Sequence, residues 1–394
     1  MINLSHHLGD IEEAILQLQS KPQVTTFRIC GNYIGTEGAL RVAKIIAKNQ
    51  TLEHLDFSCN DIGLDGIQAI VHALCENRCL EHLDFACNNI GPEGVKFLLD
   101  TLRCTESLTV LNLYCNNIGS EGAQYIAQII TQYPRLNNLM LSSNCLGSKG
   151  AKYIAKALEE NRSLETLDLS FNNLHSDEIN AIIQAFALNS TLKKIDLAFN
   201  NLGTGCAKIL SVNSVLQHID LEGNEIGTEG ARIVSENLYH RSCLRRLDLG
   251  ANEIGDEGVH YIAQALCVNE TLEKLHLSSN GIQIAGAQSL ANALKKNQTL
   301  QGLNLWFNPI GNEGGQAILE GLMENLWIQS LMLDRRVSID ILNEIESRLE
   351  QNRNRLRTHR RLMSIYIFET MARRLNNDIE YYLLPSMIYP MTGF

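Results

Sequence analysis

The chain has 394 residues, a formal net charge of −11, 45% hydrophobic residues and six prolines, but only 6% aromatic residues. Its length alone suggests two or three globular domains, and its prolines are too few for a linker-rich or disordered chain. The acidic balance disfavours general binding to nucleic acids or anionic membranes and leaves basic protein surfaces as partners.

The first 23 residues precede the repetitive part of the chain. Met1 is not followed by a charged segment and a long apolar run, which argues against a secretory signal peptide. Residues 8–20 (LGDIEEAILQLQS) have the spacing of a short amphipathic helix. We therefore expect residues 1–23 to form an N-terminal helical cap over the first repeat.

Residues 24–336 consist of about twelve copies of one unit, L-x-x-L-x-L-x-x-N-x-I-G-x-x-G, each followed by a helical half. Ten of the eleven intervals between the first apolar positions of neighbouring units are 28 residues, and one is 24. These first positions are Val24, Leu52, Leu80, Leu108, Leu136, Leu164, Leu192, Leu216, Leu244, Leu272, Leu300 and Ile328. Such a period predicts a solenoid, which grows by stacking and needs no separate domain cores.

Each unit predicts a strand, a turn and a helix. Leu52, Leu55 and Phe57 place inward side chains on a short strand. Asn60 follows at the bend, where its amide can satisfy unpaired backbone groups. Residues 287–294 have apolar side chains at the i, i+3, i+4, i+7 spacing of one buried helix face. Only stacking can bury these apolar faces.

These units resemble the leucine-rich repeats of the ribonuclease-inhibitor-like class, over residues 24–336. The uniform period is similar to the repeats of NOD-like receptors and of the GTPase-activating protein of Ran. Similar free-standing arrays occur among effectors that intracellular bacteria inject into host cells. The resemblance implies an α/β solenoid, or horseshoe, with a parallel β-sheet on the inner, concave face and helices outside.

Two irregularities interrupt the array. His175 stands where most other units have glycine, and the unit that begins at Leu192 is four residues shorter than the others. Because four residues are about one helical turn, we expect a short helix around residues 206–211 and a local change in curvature.

The recurring asparagine fails at Arg336. Residues 338–358 predict a charged helix that begins near Ser338, and residues 361–379 predict another. The tail from Tyr381 is apolar. We expect residues 337–394 to form a helical C-terminal cap or, alternatively, a docking segment or export signal.

The sequence contains no strong catalytic or metal-binding motif. The P-loop, H-E-x-x-H and G-x-S-x-G patterns are absent. Cys59, Cys87 and Cys115 fall at equivalent turn positions, and we interpret them as stacked repeat residues rather than metal ligands. We therefore predict that the protein is not an enzyme and has no catalytic residues, metal or cofactor.

Strand side chains that lie between the buried ones should point into the concave face. Glu222 and the central residue of four consecutive units form a predicted acidic stripe: Asp168, Asp196, Asp220 and Asp248. Lys194, Arg246 and Lys274 partly offset this charge. The alternative is that L-x-L-D-L is simply a common repeat formula.

Large apolar side chains recur on the same face or in the adjoining turn: Tyr114, Met140, Phe171, Phe199, Trp306, Phe307 and Met332. The repeat formula requires none of them, and aromatic groups beside charge are typical of protein interfaces. Phe171 and Phe199 have an alternative interpretation, as a stack that fills the turn. The equivalents of Trp306 are mostly small residues, so packing does not require a tryptophan there.

These observations predict a protein–protein interaction scaffold whose concave face binds a partner protein with a basic surface. Eleven cysteines without a secretory signal indicate reduced thiols and therefore a cytoplasmic protein. The sequence has no stretch of 18 apolar residues, so we expect no transmembrane segment. The more specific hypothesis is a bacterial effector that acts on a host protein in the host cytosol. The alternative is a regulator of a small GTPase, of the GTPase-activating type, because that role can depend on docking alone.

Overall fold

The computed structural model describes residues 1–358, except for residues 6–10, 22, 76, 103–106, 177–178, 213–214 and 240–242. The expected second C-terminal helix, at 361–379, and the tail from Tyr381 lie outside the described residues. Within the described part of the chain, none of the helices has both the length and the apolar composition that spanning a bilayer requires.

In the described residues, thirteen parallel strands form one open sheet, and their order in the sheet is their order in the sequence. The strands after the first have three residues each. They are therefore shorter than the predicted strand, and the inward-facing Leu52 and Phe57 lie just before and just after β3. The strand β1 lies before the first predicted unit and extends the sheet by one strand. The strands are β1 (Ile2–Asn3), β2 (Thr26–Arg28), β3 (His54–Asp56), β4 (His82–Asp84), β5 (Val110–Asn112), β6 (Asn138–Met140), β7 (Thr166–Asp168), β8 (Lys194–Asp196), β9 (His218–Asp220), β10 (Arg246–Asp248), β11 (Lys274–His276), β12 (Gly302–Asn304) and β13 (Ser330–Met332).

Helices alternate with these strands and cover the outer face of the solenoid, which confirms the predicted α/β horseshoe. The first lies within the segment predicted to be helical at 8–20. The helices are α1 (Ile11–Ser20), α2 (Gly35–Ile46), α3 (Gly63–Ala73), α4 (Gly91–Leu102), α5 (Gly119–Gln132), α6 (Gly147–Glu160), α7 (Ile179–Leu188), α8 (Ile209–Val212), α9 (Gly227–Tyr239), α10 (Gly255–Leu266), α11 (Ile284–Lys296), α12 (Gly311–Glu324) and α13 (residues 339–358).

The core between sheet and helices is continuous and mainly aliphatic. The predicted inner face of α11, at residues 287–294, is buried at each of its four apolar positions. Small residues let neighbouring helices approach closely: a Cβ added to Gly66 would lie 2.9 Å from the Cβ of Ala39. Each unit therefore completes its core with the next one, as a stacked array requires.

A row of buried asparagines links each unit to the preceding one. The amide of Asn144 donates hydrogen bonds to the carbonyls of Leu113 at 2.8 Å and Leu141 at 2.9 Å. Its side-chain oxygen accepts the backbone N–H of Asn116 at 2.9 Å. The flanking residues, Ser143 and Cys145, have left-handed φ values of 58° and 53°. Equivalent contacts recur along the array, and we call this row the asparagine ladder.

The short unit lacks its four residues in the helical half, on the outer face of the solenoid. A 3₁₀-helix, Thr204–Lys208, and the four-residue α8 replace the long helix, which confirms the predicted shortening. The asparagine ladder continues through this unit, because the N–H of Asn200 donates to the side-chain oxygen of Asn224 at 3.3 Å. The change in curvature stays a prediction.

Helix α13 packs against the last unit. Its Ile345 and Leu349 are buried, and the buried Asn352 donates a hydrogen bond to the carbonyl of Ile328 at 2.9 Å. At the other end, Ile2 and Leu18 are buried beside the first unit. We propose that α13 closes the C-terminal end of the core, and that β1 and α1 close its N-terminal end.

Replacing Asn144 by leucine should lower the free energy of unfolding by about 3–5 kcal/mol, because several buried backbone groups lose a hydrogen bond worth roughly 1–3 kcal/mol each. Chemical denaturation measures the change. Gln124→Leu, at an exposed position of α5, is the control and should change stability by less than about 0.5 kcal/mol. Equal effects of the two substitutions would contradict the role assigned to the ladder.

Candidate functional site

The third residue of each strand from β2 to β13 forms what we call the central column of the concave face. Four consecutive positions of this column are aspartates, paired in register across β7 to β10: Asp168, Asp196, Asp220 and Asp248. Because neighbouring strands lie about 4.8 Å apart, the predicted acidic stripe is a row of adjacent carboxyl groups.

The acids of the central column also have a local structural role. One oxygen of Asp196 accepts the backbone N–H of Ala198 at 3.0 Å, and one oxygen of Asp220 accepts that of Glu222 at 3.0 Å. Asn112 binds the turn after its own strand in the same way. Since this bond stabilises the turn, the recurrence of aspartate has a structural cause. The sequence did not reveal this contact.

Burial and mutual repulsion weaken the acidity of three carboxyl groups of the stripe. Burial, together with the charges of Asp248 and Asp196, raises the pKa of Asp220 to about 7. Burial also raises the pKa of Asp196 to about 6. The pKa of Glu222 is raised by burial and by Asp248. At neutral pH the stripe therefore carries less negative charge than its count of acids indicates.

Asp248 is the last acid of the row, and its carboxyl group contacts His276. Its side chain is 8% exposed and lies 2.6 Å from Nδ1 of His276, the next residue of the central column. It also accepts the N–H of Gly250 at 3.0 Å. Carboxylate oxygens of Asp220, Glu222 and Asp248 lie within 4.8 Å of one another, so these residues could jointly hold a hard cation.

A second column of charge runs beside the acids. The first residues of β8 to β11 are all basic and pair in register: Lys194, His218, Arg246 and Lys274. Burial lowers the pKa of His218, and the charges of Lys194 and Arg246 lower it further. An acidic and a basic column therefore lie side by side from β8 to β10. The sequence indicated offsetting charges but not their arrangement as a column.

Phe171 and Phe199 lie in the turn, immediately before the ladder residues Asn172 and Asn200. Their φ values are 53° and 54°, in a left-handed region that bulky residues rarely adopt. Their rings stack at a centroid separation of 4.5 Å and an angle of 17°. The side chains remain 51% and 38% exposed. The pair thus packs against itself in the turn and still presents aromatic surface to solvent.

Gly223 makes room for this pair. It occupies the equivalent turn position in the next unit, with a φ of 65°, and an added Cβ would lie 2.5 Å from the ring of Phe199. In the unit that follows, Ala251 adopts a φ of 50° at the same position. The turn therefore accepts alanine, and the ring of Phe199 is the reason for glycine at 223.

The other predicted apolar residues lie in two groups, one on either side of the phenylalanine pair. Tyr114 and Met140 come from neighbouring units towards the N-terminus, and Tyr114 is 42% exposed. Towards the C-terminus, the rings of Trp306 and Phe307 lie 5.6 Å apart, and Met332 follows in the next unit. Four strand spacings, or about 19 Å, separate β8 from β12. The predicted site residues thus form three groups along the face rather than one cluster.

The sequence matches the family model described as leucine-rich repeat in ten segments, which together cover more than half of the chain. These segments are residues 48–71, 76–99, 106–127, 136–155, 160–177, 188–206, 212–232, 240–263, 268–291 and 296–319. No curated protein matches the chain significantly.

Several solved structures are similar in fold. The leucine-rich repeat-containing protein LegL7 of Legionella pneumophila is 17% identical, with 89% of this chain and 98% of that protein covered and a TM-score of 0.46. A chain of the Rad7 and Elc1 complex of yeast is 16% identical, with 84% and 90% covered and a TM-score of 0.47. Actin-binding site 2 of leiomodin-1 is 20% identical, with 40% and 93% covered and a TM-score of 0.38. These likenesses concern the fold alone.

Stability should depend on pH through Asp220. Between pH about 4, where an unfolded aspartate titrates, and pH about 7, where Asp220 titrates in the folded chain, the folded state binds more protons. The free energy of unfolding therefore falls as pH rises through this window. Asp220→Asn should raise stability at pH 8 by roughly 1–2 kcal/mol, measured by denaturation at pH 5 and pH 8.

The control for this titration is Asp61→Asn, at an exposed turn position where the next two units have asparagine. It should leave the difference in stability between pH 5 and pH 8 as in the wild type. A pH profile that Asp220→Asn does not change would contradict the raised pKa of Asp220.

Gly223→Ala should destabilise the chain by about 2–3 kcal/mol, because the new Cβ displaces the ring of Phe199 and alanine is strained at a φ of 65°. In a Phe199→Ala background only the backbone strain should remain, and the same substitution should cost about 1 kcal/mol. Equilibrium denaturation of the four proteins measures this coupling. Additive effects would show that Phe199 does not determine the glycine.

Proposed function

Because this chain belongs to the leucine-rich repeat family, we propose that it is a protein–protein interaction scaffold that holds a partner protein against its concave face. The observation that carries the proposal is the stacked pair of Phe171 and Phe199, exposed in a backbone conformation rare for bulky residues. Small residues occupy this turn position in most other units. The turn requires a left-handed backbone in every one of these units, but it does not require a bulky side chain there. Placing phenylalanine in this unfavourable conformation therefore supports a role in binding.

The charge around the pair supports a partner with a basic surface. Asp168 and Asp196 precede Phe171 and Phe199 in the same units, so aromatic and acidic groups lie on one part of the face. Buried aromatic anchors supply most of the free energy in protein interfaces, whereas charges mainly set specificity and association rate. The basic column beside the acids favours a partner that also places acidic groups there.

We also propose that the partner is a host protein, bound in the host cytosol. The 28-residue units resemble the arrays of bacterial effectors, which supports this setting. The ten cysteines among the described residues form no disulfide with one another, as in reducing compartments. Leucine-rich repeat folds are typically non-catalytic scaffolds, which supports binding rather than catalysis.

Affinity capture from eukaryotic cytosol tests the proposal. The wild type should retain a partner that the double variant Phe171→Asp, Trp306→Asp loses by at least about tenfold, the effect expected for removal of one interface anchor. Both sites are solvent-accessible, so the variant should keep the wild-type circular dichroism spectrum. The two single variants show which aromatic group contributes.

The matched control is Gln124→Asp, on the exposed outer face of α5, which should retain the partner. Loss of the partner by the control alone would place the binding site on the outer helices. Retention by the folded double variant would contradict the proposed concave site.

A further inference from the structure

Three cysteines lie in register on the turn edge of the sheet. Cys59, Cys87 and Cys115 precede the ladder asparagine in three consecutive units, with φ values of 56°, 54° and 54°. The N–H of Cys59 donates to the carbonyl of Ala86 at 2.8 Å, and that of Cys87 donates to the carbonyl of Tyr114 at 2.8 Å. The backbone N–H of each of the first two cysteines is thus hydrogen-bonded to the residue that precedes the next cysteine.

The three thiols also interact with one another. Burial raises the pKa of the Cys87 thiol, and the thiols of Cys59 and Cys115, on either side, raise it further. Cys59 and Cys115 are exposed, Cys87 is half-buried, and all three are free. Neighbouring strands lie about 4.8 Å apart, and a disulfide spans Cα separations of about 4.4–6.8 Å. Little backbone movement is therefore needed to join two of them.

We propose that this row of thiols is an oxidation site, at which a hydroperoxide joins Cys87 to Cys59 or Cys115 by a disulfide between adjacent units. Partner binding is not needed for this reaction, so the proposal is independent of the scaffold function. Because Cys87 lies between the other two, each chain forms one of these disulfides and keeps one free thiol in the row.

The reaction proceeds in two steps. The exposed sulfur of Cys59 or Cys115 attacks one oxygen of hydrogen peroxide, the O–O bond breaks, and a sulfenic acid and one water form. The sulfur of Cys87 then attacks the sulfenic sulfur, the S–O bond breaks, and the hydroxide leaves with the Cys87 proton as a second water. Two thiols lose two electrons in total, and one peroxide is reduced to two waters.

The test uses the reduced full-length chain, hydrogen peroxide and alkylation of the remaining thiols, followed by peptide mass spectrometry without reduction. The expected result is a peptide that links Cys87 to Cys59 or Cys115, in a chain that remains a monomer by size-exclusion chromatography. Cys87→Ser should abolish both links and leave a sulfenic acid at Cys115 that dimedone traps, whereas Cys59 also contacts the thiol of Cys30. Serine occurs at the equivalent Ser143, so the variant should fold.

The matched control is Cys79→Ser. Cys79 is exposed, but its equivalents in the neighbouring units are Thr51 and Ser107, so it has no thiol in register. This variant should form the Cys87 disulfide at the wild-type rate. Wild-type chains that give only sulfenic or sulfinic acids, or only disulfides without Cys87, would overturn the proposal.

Discussion

The hydrogen bonds of the buried asparagine in every unit but the last determine how the chain turns after each strand. The strands have at most three residues, and backbone hydrogen bonds on both sides of them also join neighbouring units. The amide of Asn144 binds carbonyls in its own unit and in the preceding one, and its oxygen binds a backbone N–H. An apolar residue could fill the same space but would leave these buried polar groups unpaired. The asparagine ladder therefore holds the chain in the turn and determines the register of the units.

Because the register between neighbouring strands is fixed, equivalent residues of successive units lie side by side in a column. A residue type that recurs at the 28-residue period therefore forms a continuous stripe, as in the acids of β7 to β10 and the basic residues of β8 to β11. Lateral contact changes the chemistry of each member, because burial and neighbouring carboxylates raise the pKa of Asp220 to about 7. The same geometry stacks Phe171 on Phe199 and brings the thiol of Cys87 between two others. Surface chemistry in this fold is thus a property of neighbouring units.

The period of the sequence predicted much of the fold, but it did not predict the contacts between side chains of neighbouring units. The ladder asparagines, the buried face of α11 and the shortened helix after Leu202 all follow from spacing along the chain. Strand β1 has two residues and lacks the repeat formula, so no pattern marked it. The sequence placed Phe199 in the turn, but its contact with Gly223 depends on ring orientation. The hydrogen bonds that the central aspartates accept from the backbone likewise depend on turn geometry. They give a physical cause for a recurring acid that the sequence could explain only as a common repeat formula.

Site-specific photo-crosslinking shows directly whether the partner lies against the concave face. A photoreactive amino acid replaces either Lys194 on the concave face or Lys156 on the outer face of α6, two exposed lysines two units apart. After irradiation in eukaryotic cytosol, we expect a covalent adduct with one protein from position 194 and none from position 156. An adduct from position 156 alone would contradict a concave binding site.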